Sequence, residues 1–251
     1  MPKTSLVMTV YNREAFVAKA IQSVLDQTEP DWELIIWDDG STDLSANIAS
    51  VYSASDSRIQ LIRAPHYGRV SSLASAIGLA RAPYVGWIDS DDRLGANALK
   101  ATIPILDQNP EIGLVYTDYV DMNAYDQILG RGTRCSKPYS PKSLLTDFMV
   151  FHFRLYRRNL PIDYAALTPF AEDYDLVLRL SEMTRFHHIA QPHYLYRHHS
   201  GTTSQQHQIS QIMGAREAIE KALVRRGLSE RYRVNLNIRG HYAITKKGVS
   251  L

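Results

Sequence analysis

Two hydrophobic periods alternate along the first hundred residues. Ser5 to Val10 is a short run of branched and long aliphatic side chains ending in Thr9-Val10-Tyr11-Asn12, which predicts a buried strand followed by a loop. From Glu14 the spacing changes. Phe16, Val17, Ala20, Ile21, Val24 and Leu25 recur at steps of three and four, an amphipathic helix ending near Gln27-Thr28 with Pro30 as its stop. Trp32 to Trp37 reads as a second strand that runs into an acidic turn, Asp38-Asp39-Gly40-Ser41-Thr42-Asp43. Asp43 is placed to cap a helix reaching about Ala54, Ile59 to Ile62 is a third short strand, and Val70 to Ala80 has helical spacing. Tyr84 to Ile88 is then an apolar strand that stops abruptly at Asp89-Ser90-Asp91-Asp92.

Strands alternating with helices argue for a parallel sheet with right-handed crossovers, and in such sheets ligands collect beyond the carboxyl ends of the strands. Thr9 and Tyr11, Asp38 and Asp39, and Asp89 and Asp91 all fall at those ends. Asp89, Asp91 and Asp92 would repel one another in a dry site, so they need bulk water or a cation, and hard oxygen ligands suit Mg²⁺ or Mn²⁺. One Asp-x-Asp alone would read as a solvated turn. Polar groups at three strand exits facing one edge are much harder to explain that way.

The second half is less regular. Leu114 to Asp118 predicts a strand, Tyr125 to Gly130 one arm of a small hairpin, and Lys142 to Val150 a helix. Phe151 to Arg158 alternates aromatic and basic residues. The run reads as an acceptor wall at His152 and Phe153, and as an edge strand with charged flanks at Arg157 and Arg158. Glu172-Asp173 opens a helical pattern through Leu180, where the two acids cap the helix or serve chemistry. Phe186 to Ala190 and His193 to Tyr196 read as a strand pair. Ile209 to Leu223 has helical spacing, followed by a basic tail with Arg231, Arg233, Arg239, Lys246 and Lys247.

Composition narrows the class. The 251 residues carry a net charge of +2, with 22% charged and 45% hydrophobic residues, ordinary values for a soluble globular protein with no call for nucleic acid. A single cysteine, Cys135, allows neither an intrachain disulfide nor a thiolate zinc site by itself, and a reducing cytoplasm is the simplest compartment. No apolar run reaches the roughly 18 residues of a spanning helix, and the amino terminus lacks a signal-peptide pattern. The expectation is a cytoplasmic protein, soluble or peripheral at the inner face of the membrane, whose basic tail lies on an anionic bilayer, contacts a second copy or is solvated. The length after the last helix is expected to leave no room for a separate carbohydrate-binding domain or membrane anchor. Neither a dinucleotide fingerprint nor a P-loop is present, so bound phosphates would need a metal and side chains to neutralise them.

Ser-Leu-Val-Met-Thr-Val-Tyr-Asn-Arg from Ser5, Ser23-Val24-Leu25-Asp26-Gln27-Thr28, Asp38 to Asp43, and Ile88-Asp89-Ser90-Asp91-Asp92 together resemble family 2 glycosyltransferases of the GT-A fold. In the second half, Glu172-Asp173-Tyr174-Asp175-Leu176 with Arg179 resembles the family's acidic motif. Tyr196-Arg197-His198-His199 with Ser200, Thr203 and Ser204 resembles its closing segment. The resemblance implies an α/β GT-A domain over 1–204, with a nucleotide-sugar half at 1–110 and an acceptor half at 111–204, and a C-terminal helix and basic tail over 205–251. It implies a nucleotide pocket of Thr9, Tyr11, Asp39, Arg69 and Asp89, with Asp38 sharing the base contact or not. Asp91, with Asp89 and His199, would hold Mn²⁺ or Mg²⁺, and Asp173 would be the catalytic base, with Glu172, His152 and Phe153 toward the acceptor.

That chemistry fits the residues. A divalent ion stabilises charge on a diphosphate leaving group, and a carboxylate opposite takes the proton of the attacking hydroxyl, which gives inversion. The donor expected is a nucleotide diphosphate sugar, UDP-linked by default with GDP and dTDP open, and the acceptor a glycan or lipid-linked hydroxyl. A nucleotidyltransferase would need a glycine-rich basic loop after the first strand, which Tyr11-Asn12-Arg13-Glu14 does not supply. A non-catalytic binding module would have lost Asp91 and Asp173, and both are present. The other histidines, His187, His188, His193 and His198, lack zinc-enzyme spacing and read as surface or packing residues; Arg197 reads as the structural partner of an acid.

Overall fold

The computed structural model describes residues 1–202, 206–236 and 242–246, so Thr203, Ser204, Arg239 and Lys247 lie outside the described residues. The first half follows the alternation read above: β1 (Thr4–Val10), α1 (Val17–Leu25), β2 (Trp32–Asp39), α2 (Ser45–Ser55), β3 (Ile59–Ala64), α3 (Arg69–Gly78) and β4 (Tyr84–Trp87). Then come β5 (Arg93–Leu94), α4 (Ala98–Gln108), β6 (Ile112–Asn123), β7 (Ile128–Arg131), β8 (Arg154–Arg157), α5 (Glu172–Leu180), β9 (Arg185–His198), α6 (Gln208–Arg225), β10 (Tyr232–Leu236) and β11 (Tyr242–Lys246).

The main sheet runs β3-β2-β1-β4-β8-β6-β9-β5, with β7 paired to β6. Its first four strands are parallel and β8 is antiparallel to both neighbours. Leu6, Val7 and Met8 are wholly buried, as are Leu34 and Ile36 on β2. Both faces of these strands are covered, which explains why the sequence showed continuous apolar runs rather than alternation. At the amino end of the sheet, Ser5 donates to Glu33 (2.6 Å) and accepts from the Ala82 amide (3.0 Å), while the Arg81 guanidinium closes on the same Glu33 carboxylate (2.5 Å).

The second half departs from expectation in three places. Lys142 to Val150 is not a helix: it holds one 3₁₀ turn, Ser143–Leu145. Ser140 and Ser143 exchange side-chain-to-amide bonds at 2.9 Å, the local competition by which serines divert a backbone from helix. The expected strand pair of Phe186 to Ala190 and His193 to Tyr196 is a single strand, β9. Thr117 faces Ile189 and Asp118 already faces Pro192, so Ala190 and Gln191 bulge out of one continuous pairing with β6 instead of forming a turn. The run ending in Arg157 and Arg158 is not an edge either, because β8 lies between β4 and β6. Arg157 reaches past the strand end to the carbonyls of Leu106 (2.6 Å), Ile112 (2.9 Å) and Asn109 (3.1 Å), and Arg158 to that of Ala82 (2.8 Å).

The hairpin arm expected near Gly130 is β7, and His188 and His198 bond Asp118 (2.7 Å) and Asp121 (2.8 Å), as packing residues do. The C-terminal helix packs Ala218, Ile219, Ala222 and Leu223 into the main core, and the tail contains the antiparallel pair β10-β11. No helix among the described residues is long and apolar enough to cross a membrane.

Gly86 sits where β4 meets β8. A Cβ there would lie 2.8 Å from the Arg154 carbonyl and 2.9 Å from the Phe153 ring. Gly86→Ala is therefore expected to lower unfolding free energy by about 1–3 kcal/mol, read by denaturant titration, through overpacking of a core with no room to yield.

Candidate active site

Because β2, β1 and β4 are adjacent and in parallel register, their carboxyl ends deliver Asp38-Asp39, the Thr9 to Arg13 segment and Asp89 to Asp92 to one edge. They open on a cleft of about 1940 Å³, lined from the first half of the chain by Thr9, Tyr11, Arg13, Asp39, Arg69, Asp89 and Asp91, and from the second by His152, Glu172 and Asp173. Ser23 and Gln27, at the end of α1, hold the segment that follows the acids: Ser23 accepts from the Leu94 amide (2.9 Å), and Gln27 donates to the Gly95 carbonyl (2.8 Å). The sequence pattern around Ser23 to Gln27 thus braces the site rather than entering it.

The two acids ending β2 part company. Asp39 lines the cleft, its oxygens accepting the Tyr67 (2.8 Å) and Gly68 (3.1 Å) amides, with His66 Nδ1 at 2.9 Å. Asp38 turns into its own loop, accepts the Ser41 amide at 3.2 Å and is not part of the cleft wall. Tyr11 is exposed and stacks on His66 with ring centres 4.3 Å apart.

Around β4 the charges are compensated one by one. Arg69 joins the two walls, lying 2.5 Å from Asp89 Oδ1 and 2.5 Å from Glu172 Oε1. Burial works against charge on Asp89, yet the Arg69 guanidinium, with Arg154 behind it, outweighs burial and holds the carboxyl at about 2. Asp91 Oδ2 accepts from Arg13 Nε (3.0 Å) and lies 3.1 Å from His199 Nε2. Asp92 is buried, accepts the Arg197 amide (2.7 Å), and is pushed well above the carboxylate range by burial and by the neighbouring Asp91 and Asp89. Arg197, fully buried, donates to the Asp91 carbonyl (2.6 Å) and pairs with Asp126 (2.7 Å). It is the structural partner of an acid, as its sequence context suggested.

In the second half, Asp173 occupies the first turn of α5, where the helix dipole favours a negative charge. Ala171, not Asp173, stands at the N-cap. Among the described residues the Asp173 carboxylate accepts its neighbour's amide, Tyr174 (2.8 Å), and Arg154 Nη1 lies 3.8 Å from its other oxygen. Glu172 is raised by burial, to which Asp173 adds and which Arg69 opposes. His152 is driven well below its ordinary value by burial, with Arg154 adding to it, so the imidazole stacked on Tyr194 at 4.6 Å is neutral. Phe153 corrects an expectation: it is fully buried against Gly86 and is core, not cleft wall.

Two donor sets near the cleft could take a divalent ion. Asp89, Asp92 and His152 offer ligand atoms within 4.8 Å of one another, but Arg69 already occupies Asp89 and would repel a second cation. Asp91 Oδ2 and His199 Nε2 lie in direct contact (3.1 Å), and Arg13 Nε donates to the same oxygen (3.0 Å), so in either set an arginine has to leave a carboxylate before an ion can bind.

Sequence reasoning assigned no role to Arg13 or Arg154, although both stand inside segments it singled out. A basic residue three positions past a strand end, and one within a run of aromatics, were the available signals. His66 and Tyr194 gave none, one lying in an ordinary loop and the other among 15 tyrosines.

Comparison with known proteins bears on the family and the fold. The chain is 30% identical to chondroitin synthase of Escherichia coli over 192 residues, 75% of this chain and 28% of that protein. It spans about a quarter of the length of the curated relatives it matches first. Its fold is that of GT-A proteins such as S. aureus TarS 1-349, solved with UDP-GlcNAc (TM-score 0.64, 16% identity, 88% of this chain and 66% of that one). It is equally similar to the mannosyltransferase PcManGT of Pyrobaculum calidifontis, solved with GDP-Man and Mn²⁺ (TM-score 0.65, 15% identity, 89% and 64%). Residues 5–164, well over half of the chain, match the model of glycosyl transferase family 2, and the chain belongs to that family.

Proposed function

We propose that this domain is an inverting glycosyltransferase that moves a sugar from a nucleotide diphosphate donor to a hydroxyl of a glycan or lipid-linked acceptor. The observation that carries this reading is one cleft lined by acids from both halves of the domain, Asp89 and Asp91 after β4 and Asp173 on α5. UDP is the first-choice nucleotide, and GDP and dTDP remain alternatives. Neighbours of the same fold were solved with UDP-GlcNAc and with GDP-Man and Mn²⁺, which supports the donor class and the ion.

In this mechanism Thr9, Tyr11 and Asp39 bind base and ribose. Asp39 is preferred to Asp38 for the base because it faces the cleft. Asp91 and His199, with Asp89 beside them, would hold Mn²⁺ or Mg²⁺, which when bound neutralises charge developing on the leaving diphosphate. Arg69, already between Asp89 and Glu172, adds a fixed positive charge next to the phosphates. Asp173 accepts the proton of the acceptor hydroxyl, while Glu172 and the neutral His152 orient that hydroxyl. The exposed Arg231, Arg233 and Lys246 give the tail the charge to lie on an anionic bilayer bearing a lipid-linked acceptor.

Asp173→Asn should keep donor affinity within about twofold and lower transfer by about 10²–10⁴. Turnover near the wild-type rate would show that another group takes the proton. Asp91→Ala should fold normally but lose the gain in melting temperature that Mn²⁺ and UDP together give the wild type; an undiminished gain would remove Asp91 from the ion's ligands.

A further inference from the structure

Thr168-Pro169-Phe170-Ala171 is a tight turn closed by the Ala171 amide on the Thr168 carbonyl (3.1 Å). Proline stands at its second position, and the third, Phe170, has φ +63°. A positive φ after proline is the place of glycine or asparagine, and a bulky aromatic there is a strained exception. Phe170 gains only partial burial in exchange: it is 44% exposed and lines the cleft.

The turn is braced from behind. Asp175, wholly buried, accepts both the amide and the hydroxyl of Thr168 (3.0 Å each), and Lys221 donates to the same hydroxyl (3.1 Å). On the other side α6 comes so near that a Cβ on Gly214 would lie 2.5 Å from the Pro169 carbonyl. Packing therefore imposes the strained conformation, and its visible product is an aromatic ring held at the cleft, three residues before Asp173. His207, at the start of α6, meets that ring at 5.2 Å.

Strain kept at a site with little local return is a reason to look for function. A rigid, half-exposed aromatic ring beside the carboxylate wall, away from the Asp39 pocket, matches the C–H face of a pyranose. We infer that Phe170 is a specificity-determining platform on which the terminal sugar ring of a carbohydrate acceptor stacks, delivering its hydroxyl toward Asp173. This inference rests on the reading of Asp173 as the acceptor-side base.

The test uses the full chain, with UDP and Mn²⁺ present, on a printed array of β-linked hexose and N-acetylhexosamine di- to hexasaccharides. The wild type should retain glycans of this set. Phe170→Gly and Phe170→Ala should each lose at least about tenfold of that signal, Phe170→Trp should keep it, and UDP affinity should stay within about twofold throughout. Strain relief should also make the glycine variant melt above the alanine variant, so that a loss of glycan signal in Phe170→Gly is not a loss of fold. Retained glycan signal in Phe170→Gly or a wild type that captures no glycan would each overturn the platform. If the wild type binds glycan but no UDP, the donor assignment falls while the platform stands.

Discussion

Everything at the cleft depends on compensating negative charge in a place that water reaches poorly. The topology brings Asp39, Asp89, Asp91, Asp92, Glu172 and Asp173 to one region, and like charges so placed cannot all ionise without partners. The chain answers with guanidinium groups from separate segments: Arg13 on Asp91, Arg69 between Asp89 and Glu172, Arg154 near Asp173, and Arg197 on the backbone of Asp91. Asp92, which has the Arg197 amide and the Tyr194 hydroxyl as partners but lies behind two other acids, is held well toward its neutral form, and Glu172 is raised as well. Removing one partner of such a pair leaves the other charge uncompensated, so these arginines are part of the fold as well as of the site.

The same arrangement accounts for how the two halves of the domain cohere. Arg69 begins α3 in the nucleotide half and reaches Glu172, which begins α5 in the acceptor half. Arg197 comes from β9 and fixes the loop after β4 from below. Parallel strands supply the edge, and the antiparallel β8 and long β9 bring the second set of residues to it. The cleft is therefore a junction whose walls are tied by ion pairs while its middle stays open to ligand.

Much of this was legible in the sequence, for identifiable reasons. The βα alternation of residues 1–92 is written in hydrophobic period, and strand exits locate Thr9, Tyr11, Asp39, Asp89 and Asp91 without coordinates. Past Asp92 the period fails as a guide. Serine side chains undo the helix expected at Lys142 to Val150, a bulge joins what looked like two strands into β9, and β8 becomes interior because its arginines find carbonyl partners beyond its ends. Phe153 could not be told from His152 by pattern, since adjacent residues of one segment face core and cleft. Nor could composition separate Asp38 from Asp39, or show that Phe170 occupies a position of positive φ.

Calorimetric titration of UDP, GDP and dTDP into the protein, each with and without Mn²⁺, tests the account most directly. One nucleotide binding at least about tenfold more tightly with Mn²⁺ is the predicted result, and it would identify the donor class at the same time. Failure of all three to bind, or binding indifferent to the ion, would contradict a cleft built to hold a metal-bound diphosphate.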